Sequence, residues 1–253
     1  MKNFFTTDLF YKCFLILIIL LLANGFNCKY ASFHHLDITT CEKVIKNFWN
    51  ENGLIENLQV IFVLISILFL IRFKLRNNTN NFINFFVIVK IVLLIYYLGE
   101  EISWGQHYLE WKSPEIFIEL NNQSETNLHN ISNVFDQLPR ALVYFWCTFS
   151  ALLVNQKMIK TKISKNSFFL ISPNSKIIYI SYLLMIVSFP DAIIDNLNLH
   201  PGHVDEFGEK ILSSLFYDFI TFNYIRLSEL HELIFSFYFL NYSIFINKVK
   251  FEV

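Results

Sequence analysis

Residues 54–73 read LIENLQVIFVLISILFLIRF. A bilayer core about 30 Å thick is crossed by a helix of roughly 20 mostly apolar residues, and this stretch has that length and character. Glu51 precedes it, Glu56 lies in its first turn, and Arg72 stands at its end, with Lys74 and Arg76 close behind. Lys and Arg collect in cytoplasmic loops, so the stretch reads as a transmembrane helix whose C-terminal end lies inside.

Working outward, residues 10–26, 82–106, 138–156, 176–197 and 226–247 pass or nearly pass the same test. The fold class expected is all-α: a polytopic transmembrane bundle of about six helices, with residues 1–253 as a single integral membrane domain and short interfacial helices on the outer side. The first stretch is ambiguous. Its uninterrupted centre, Cys13 to Ala23, follows Lys2 and Lys12 and has the length of a signal-peptide core, whose removal would leave five helices.

Charge tests the orientation. With the N-terminus inside, the cytoplasmic segments hold Lys2, Lys12, Arg72, Lys74, Arg76, Lys157, Lys160, Lys162, Lys165, Lys176, Lys248 and Lys250, against only Asp8 and Glu252. Inverting the chain puts nearly every basic cluster on the wrong side, so both termini are read as cytoplasmic. A composition rich in Phe, Ile, Asn and Lys points to an AT-rich bacterial genome, hence a multipass protein of the inner (plasma) membrane.

The chain is 54% apolar with 16% charged residues and a net charge of -1, which excludes an ordinary soluble domain and leaves no basic field for nucleic acid. The outer segments are then 27–53, 107–137 and 198–225. All seven histidines lie in them or at adjoining helix ends: His34, His35, His107, His129, His200, His203 and His231. Cys28 and Cys41 share the first outer segment and bridge if the compartment is oxidising; otherwise they are two thiols. Cys13 and Cys147 sit inside apolar runs.

Ser113-Pro114-Glu115 is a helix start, with a capping hydroxyl, Pro in the first turn and an acid beside it. Ile116, Phe117, Ile118 and Leu120 make the short helix interfacial, and Trp104 and Trp111 suit an aromatic belt. Residues 211–225 form a second interfacial candidate, and 157–176 a basic cytoplasmic loop.

The densest polar cluster is GEEISWGQH, residues 99–107. If the helix runs through it, Glu100, Ser103 and His107 share one face, and Glu101 turns away. In the fifth stretch Ser188, Asp191 and Asp195 repeat that spacing beside Pro190, which frees a carbonyl and tolerates a kink. The last stretch opens with Glu229, His231 and Glu232; the two acids suit the helix dipole as well as a ligand role. His200 and His203 flank a Pro-Gly turn and are a weak metal signal. Lys90 lies within an apolar stretch and is expected to snorkel or to pair with an acid. P-loop, Rossmann, nucleophile-elbow and zincin motifs are absent.

GEEISWGQ followed by SPEIFIELNNQSETNLHN resembles a group of uncharacterised bacterial multipass membrane proteins, which also carry a Glu-x-Gly-x-x-Glu pattern matched by Glu51, Gly53 and Glu56. The resemblance covers about the middle half of the chain and marks Glu51, Glu56, Glu100, Glu101, Ser103, Gln106, Gln123, Glu125, Asn127, His129 and Asn130. A weaker likeness, to alkaline ceramidase and adiponectin receptor type membrane hydrolases, implies a Ser-x-x-x-His step at Ser103 and His107 and an Asp at Asp136 or Asp191. The paired histidine of that superfamily's last helix is missing, and Glu229, His231 and Glu232 stand in its place.

The leading expectation is a metal-dependent hydrolase acting on a lipid or amphiphile at the outer leaflet. Glu100, His107, Asp191 and Glu232 are the candidate ligands of a divalent metal such as zinc, and Glu101, Ser103 and Asp195 are the catalytic candidates. Glu56, Glu125, His129 and Glu229 are further candidates. The alternatives are a proton-coupled transporter using Lys90, Asp191 and Asp195, and a non-enzymatic membrane assembly or partner protein whose acids only satisfy helix ends.

Overall fold

A computed structural model describes residues 8–34, 39–49, 53–77, 79, 81–120, 125–128, 131, 138–139, 141–147, 177–196 and 226–247. The fold is all-α. In chain order the helices are α1 (Asp8–Phe33), α2 (Thr39–Phe48), α3 (Leu54–Arg76), α4 (Asn81–Glu101), α5 (Gln106–Leu109), α6 (Glu115–Leu120), α7 (Ile177–Asn196) and α8 (Leu227–Ile246). Residues 141–147 are also helical; the rest of the expected stretch 138–156, apart from 138–139, lies outside the described residues, as does 211–225.

Among the described residues three segments are long and apolar enough to cross a membrane, Phe10–Cys28, Leu54–Arg76 and Asn81–Glu101; Tyr179–Ser188 is a shorter apolar helix. Their surfaces explain why lipid suits them. In α1, Phe10, Phe14, Ile18 and Leu21 form a buried stripe, yet Leu15, Ile16, Ile19 and Leu20 on the open side are equally apolar. In α3, Ile55, Val63, Leu70 and Phe73 are buried while Ile61, Leu64, Leu68 and Leu75 are exposed. A water-facing helix would put polar residues on the open face.

Contacts divide the chain into two compact units, residues 1–56 with 183–233, and residues 57–182 with 234–253. In the first, Cys28 in the last turns of α1 is disulfide-bonded to Cys41 in α2. This settles the choice that the sequence left open. Arg226, just before α8, donates to the Trp49 carbonyl at 3.2 Å and meets Glu229 at 3.4 Å.

In the second unit α8 is central. Ile234 to Ile244 are all buried, including the polar Ser236, Asn241 and Ser243, as expected of a helix surrounded by protein rather than by lipid. Phe237 packs on Phe62 of α3, Phe239 on Tyr97 of α4, and Tyr238 and Tyr242 on Trp146. Asn247 ties the end of this helix to the Phe69 carbonyl at 3.1 Å. The tight α3–α4 connection is stitched by Asn84, which accepts from Lys74 and Thr79 and donates to the Thr79 carbonyl.

Two expectations need correction. Lys90 neither snorkels nor meets an acid among the described residues: its Nζ is buried over the rings of Trp146 and Tyr242, 3.3 and 3.5 Å from their centroids. The third span does not continue to residue 106, for the reason that follows.

Candidate functional site

The helical register of α4 breaks after Glu101. Ile102 still donates to Leu98, but Ser103 and Trp104 take positive φ values of 44° and 55°, and Gly105 follows at 98°. Left-handed backbone is disfavoured by roughly 1–2 kcal/mol per residue for side chains other than Gly, so something must hold it. Glu100, Ser103 and His107 therefore do not share a helical face, and the i, i+3, i+7 argument fails here.

What holds the turn begins with Trp104. Its ring folds back over α4, so close to Gly99 that a Cβ there would lie 2.9 Å from three ring atoms. Its indole N–H donates to Glu100 Oε1 at 3.0 Å, and Tyr96 packs edge-on beside it. Glu100 Oε2 accepts from the backbone N–H of Leu128 at 2.7 Å. Both oxygens of this buried carboxylate are thus engaged.

A second layer joins the same two segments. Ser103 Oγ donates to Glu125 Oε2 at 2.7 Å, and the Asn127 amide donates to that oxygen at 2.6 Å and to Ser103 Oγ at 2.9 Å. Ser103 and Asn127 are fully buried, at 0% and 1% exposure, where an unsatisfied polar atom is costly. Gln106 Oε1 accepts from the Thr126 N–H at 2.8 Å and from Ser113 Oγ at 3.1 Å, and Thr126 Oγ1 donates to Ser113 Oγ at 3.0 Å. Residues 99–106 and 125–128 are one hydrogen-bonded body, closed by Ser113. Outside it, Tyr108 donates to Asn57 Oδ1, while Trp104, Tyr108, Leu109 and Trp111 present exposed apolar surface and α6 buries nothing.

The structure brings together Glu100, Ser103, Gln106, Glu125 and Asn127. Glu101 ends α4 half-buried, and His107 lies in α5 with its side chain outside the described residues. The same holds for the side chains of Asp191 and Asp195 in α7, which continues through Pro190. Gln123, His129, Asn130, Asp136, His200 and His203 are outside the described residues. Glu56 and Glu232 are buried and Glu229 meets Arg226, all in the other unit. Among the described residues no group of three or more His, Cys, Asp or Glu side chains is arranged to hold a metal.

Sequence reasoning missed Ser113, Thr126 and the Leu128 N–H. The Ser113 hydroxyl, a helix cap by its sequence position, donates to Gln106 Oε1. The available signal was Gln106 itself: a primary amide beside a left-handed Gly needs partners once buried. No family model, no curated protein and no solved structure matches the chain.

Proposed function

We propose that this chain is a multipass protein of a bacterial plasma membrane, with both termini cytoplasmic, whose outer-face carboxylate site presents a rigid surface rather than a reacting group: a non-enzymatic assembly or partner protein. The orientation is supported by the basic residues, and independently by the Cys28–Cys41 disulfide, which favours an oxidising compartment for the segment after α1. The likeness to bacterial multipass membrane proteins carrying the GEEISWGQ and NLHN motifs fits this reading.

One observation carries the non-catalytic part. Two acids, one from each motif, accept hydrogen bonds from the motifs themselves, Glu100 from Trp104 and Leu128, Glu125 from Ser103 and Asn127. Catalytic groups are commonly held at the expense of stability, so removing them leaves a protein as stable or more so. A structural network behaves oppositely, because losing one partner strands another at about 1–3 kcal/mol. Thermal unfolding of purified Ser103→Ala, Glu125→Gln and Asn127→Ala proteins tests this without knowledge of a substrate. All three should be destabilised; an unchanged or raised midpoint for Ser103→Ala or Glu125→Gln defeats the proposal.

A second reading, a hydrolase of a lipid or other amphiphile, is favoured by the left-handed backbone of Ser103 and its short bond to Glu125, since strained residues gather at active sites. Covalent labelling of Ser103 by a fluorophosphonate would support it. Its metal-dependent form asks Glu100 to leave Trp104 or Leu128, and zinc in the purified protein, lost in Glu100→Ala, would support that form.

A further inference from the structure

Lys90 lies near the middle of α4, a 21-residue span. Its Nζ is buried and makes no hydrogen bond among the described residues. Three rings surround it: Trp146 at 3.3 Å and Tyr242 at 3.5 Å, measured to the centroids, and Phe86 one turn earlier at 4.8 Å. These come from three elements, α4, the helical segment 141–147 and α8. The titratable groups facing the amine are Cys147 from the helical segment and Tyr242 from α8; no carboxylate faces it among the described residues.

We propose that Lys90 is an intramembrane proton-binding site whose occupancy governs how tightly α4 is clasped to Trp146 and Tyr242. The physical basis is an asymmetry between the two states of the amine. An ammonium is drawn to the faces of aromatic rings by their quadrupoles, and that attraction strengthens when water is absent. A neutral amine has no such attraction and leaves the same donors and lone pair unsatisfied. In a site with an acid, loss of the proton would be opposed by ion pairing; among the described residues it is rings, and no carboxylate, that face this charge, so the clasp follows the proton. Intramembrane ionisable residues mark functional paths more often than structural ones, and this one sits at the level where such a path would cross the bilayer.

The test uses the full chain in lipid nanodiscs with 5-fluorotryptophan incorporated at its four tryptophans, read by fluorine NMR. The Trp146 resonance, assigned by its loss in Trp146→Phe, should move in a single step between about pH 5 and 10, the range that brackets displaced lysine titrations. The step should vanish in Lys90→Met and in Lys90→Arg, the second keeping a permanent cation over the ring. It should persist in Tyr242→Phe and Cys147→Ser, which keep the box but remove the other titratable groups. A Trp146 resonance that does not titrate, or a step that survives Lys90→Arg or disappears in Cys147→Ser, overturns the proposal. Lys90→Arg keeps the test decisive should Lys90→Met fail to fold.

Discussion

Trp104 donates its indole N–H to Glu100, four residues earlier, from the far side of a backbone that has already left the helix. Within an unbroken helix residues 100 and 104 would lie one turn apart on the same face. Here the backbone turns left-handed at Ser103 and Trp104, and the ring still lies back over Gly99 with its N–H on the carboxylate. Glu100 is consequently a buried acceptor built into a chain reversal.

Gly99→Ala tests whether the ring must lie there. The new methyl would meet Trp104 ring atoms at 2.9 Å, well inside contact distance. Overpacking of this kind typically costs about 1–3 kcal/mol. Expulsion of the ring should also break its bond to Glu100, so the unfolding midpoint should fall and the Trp104 emission should shift to the red. Gly99→Ala in a Trp104→Ala background should add little further loss, the signature of two coupled sites. Equal losses in both backgrounds would show that the contact is not what fixes Gly99.

Gly105→Ala separates strain from crowding. A Cβ there has only Leu109 Cδ1 nearby, at 3.8 Å, so space is not the obstacle. The φ of 98° is. We expect a loss of about 1–2 kcal/mol arising from backbone conformation alone. Chemical denaturation should show a lowered midpoint with unchanged slope, and a neutral outcome would mean that the turn relaxes elsewhere.

Much of the fold was legible because its governing signal is one-dimensional. Apolar length locates α3 within three residues at its end. The same method overran α4, because Ile102, Trp104 and Gly105 are compatible with an interfacial helix end, and only the partners supplied by residues 125–128 favour the left-handed turn. The two motifs were visible as separate polar islands; their pairing was not, since no local period connects Ser103 with Glu125 or Glu100 with Leu128. Lys90 shows the same limit. The sequence announces a charge in an apolar run, while Trp146 and Tyr242, distant in sequence, supply the rings that receive it among the described residues.

Removal of the Cys28–Cys41 bond should weaken the first unit. The bridge closes a short loop, with a sequence separation of 13, and a loop near that size is associated with about 3 kcal/mol of stabilisation in the chain-entropy model. Paired Cys28→Ser and Cys41→Ser substitutions should lower the unfolding midpoint measured by circular dichroism. Reduction of the unmodified protein should reproduce that decrease, and no change under either treatment would mean that α1 and α2 are held together by packing alone.

Topology can be read chemically at two exposed sites. Glu110 follows the reversal after α4, and Arg76 ends α3. With Cys13 and Cys147 replaced by Ala and the disulfide left intact, a cysteine at either position becomes the free thiol that reports. In intact cells a membrane-impermeant maleimide should modify Glu110→Cys, and it should reach Arg76→Cys only after the membrane is opened. The argument for this outcome is electrostatic: Arg72, Lys74 and Arg76 cluster at one end of α3, and basic clusters next to spans stay on the cytoplasmic side. Labelling of Arg76→Cys in sealed cells would reverse the orientation of α3 and α4 together, since Lys74 and Thr79 bind Asn84 across the connection that joins them.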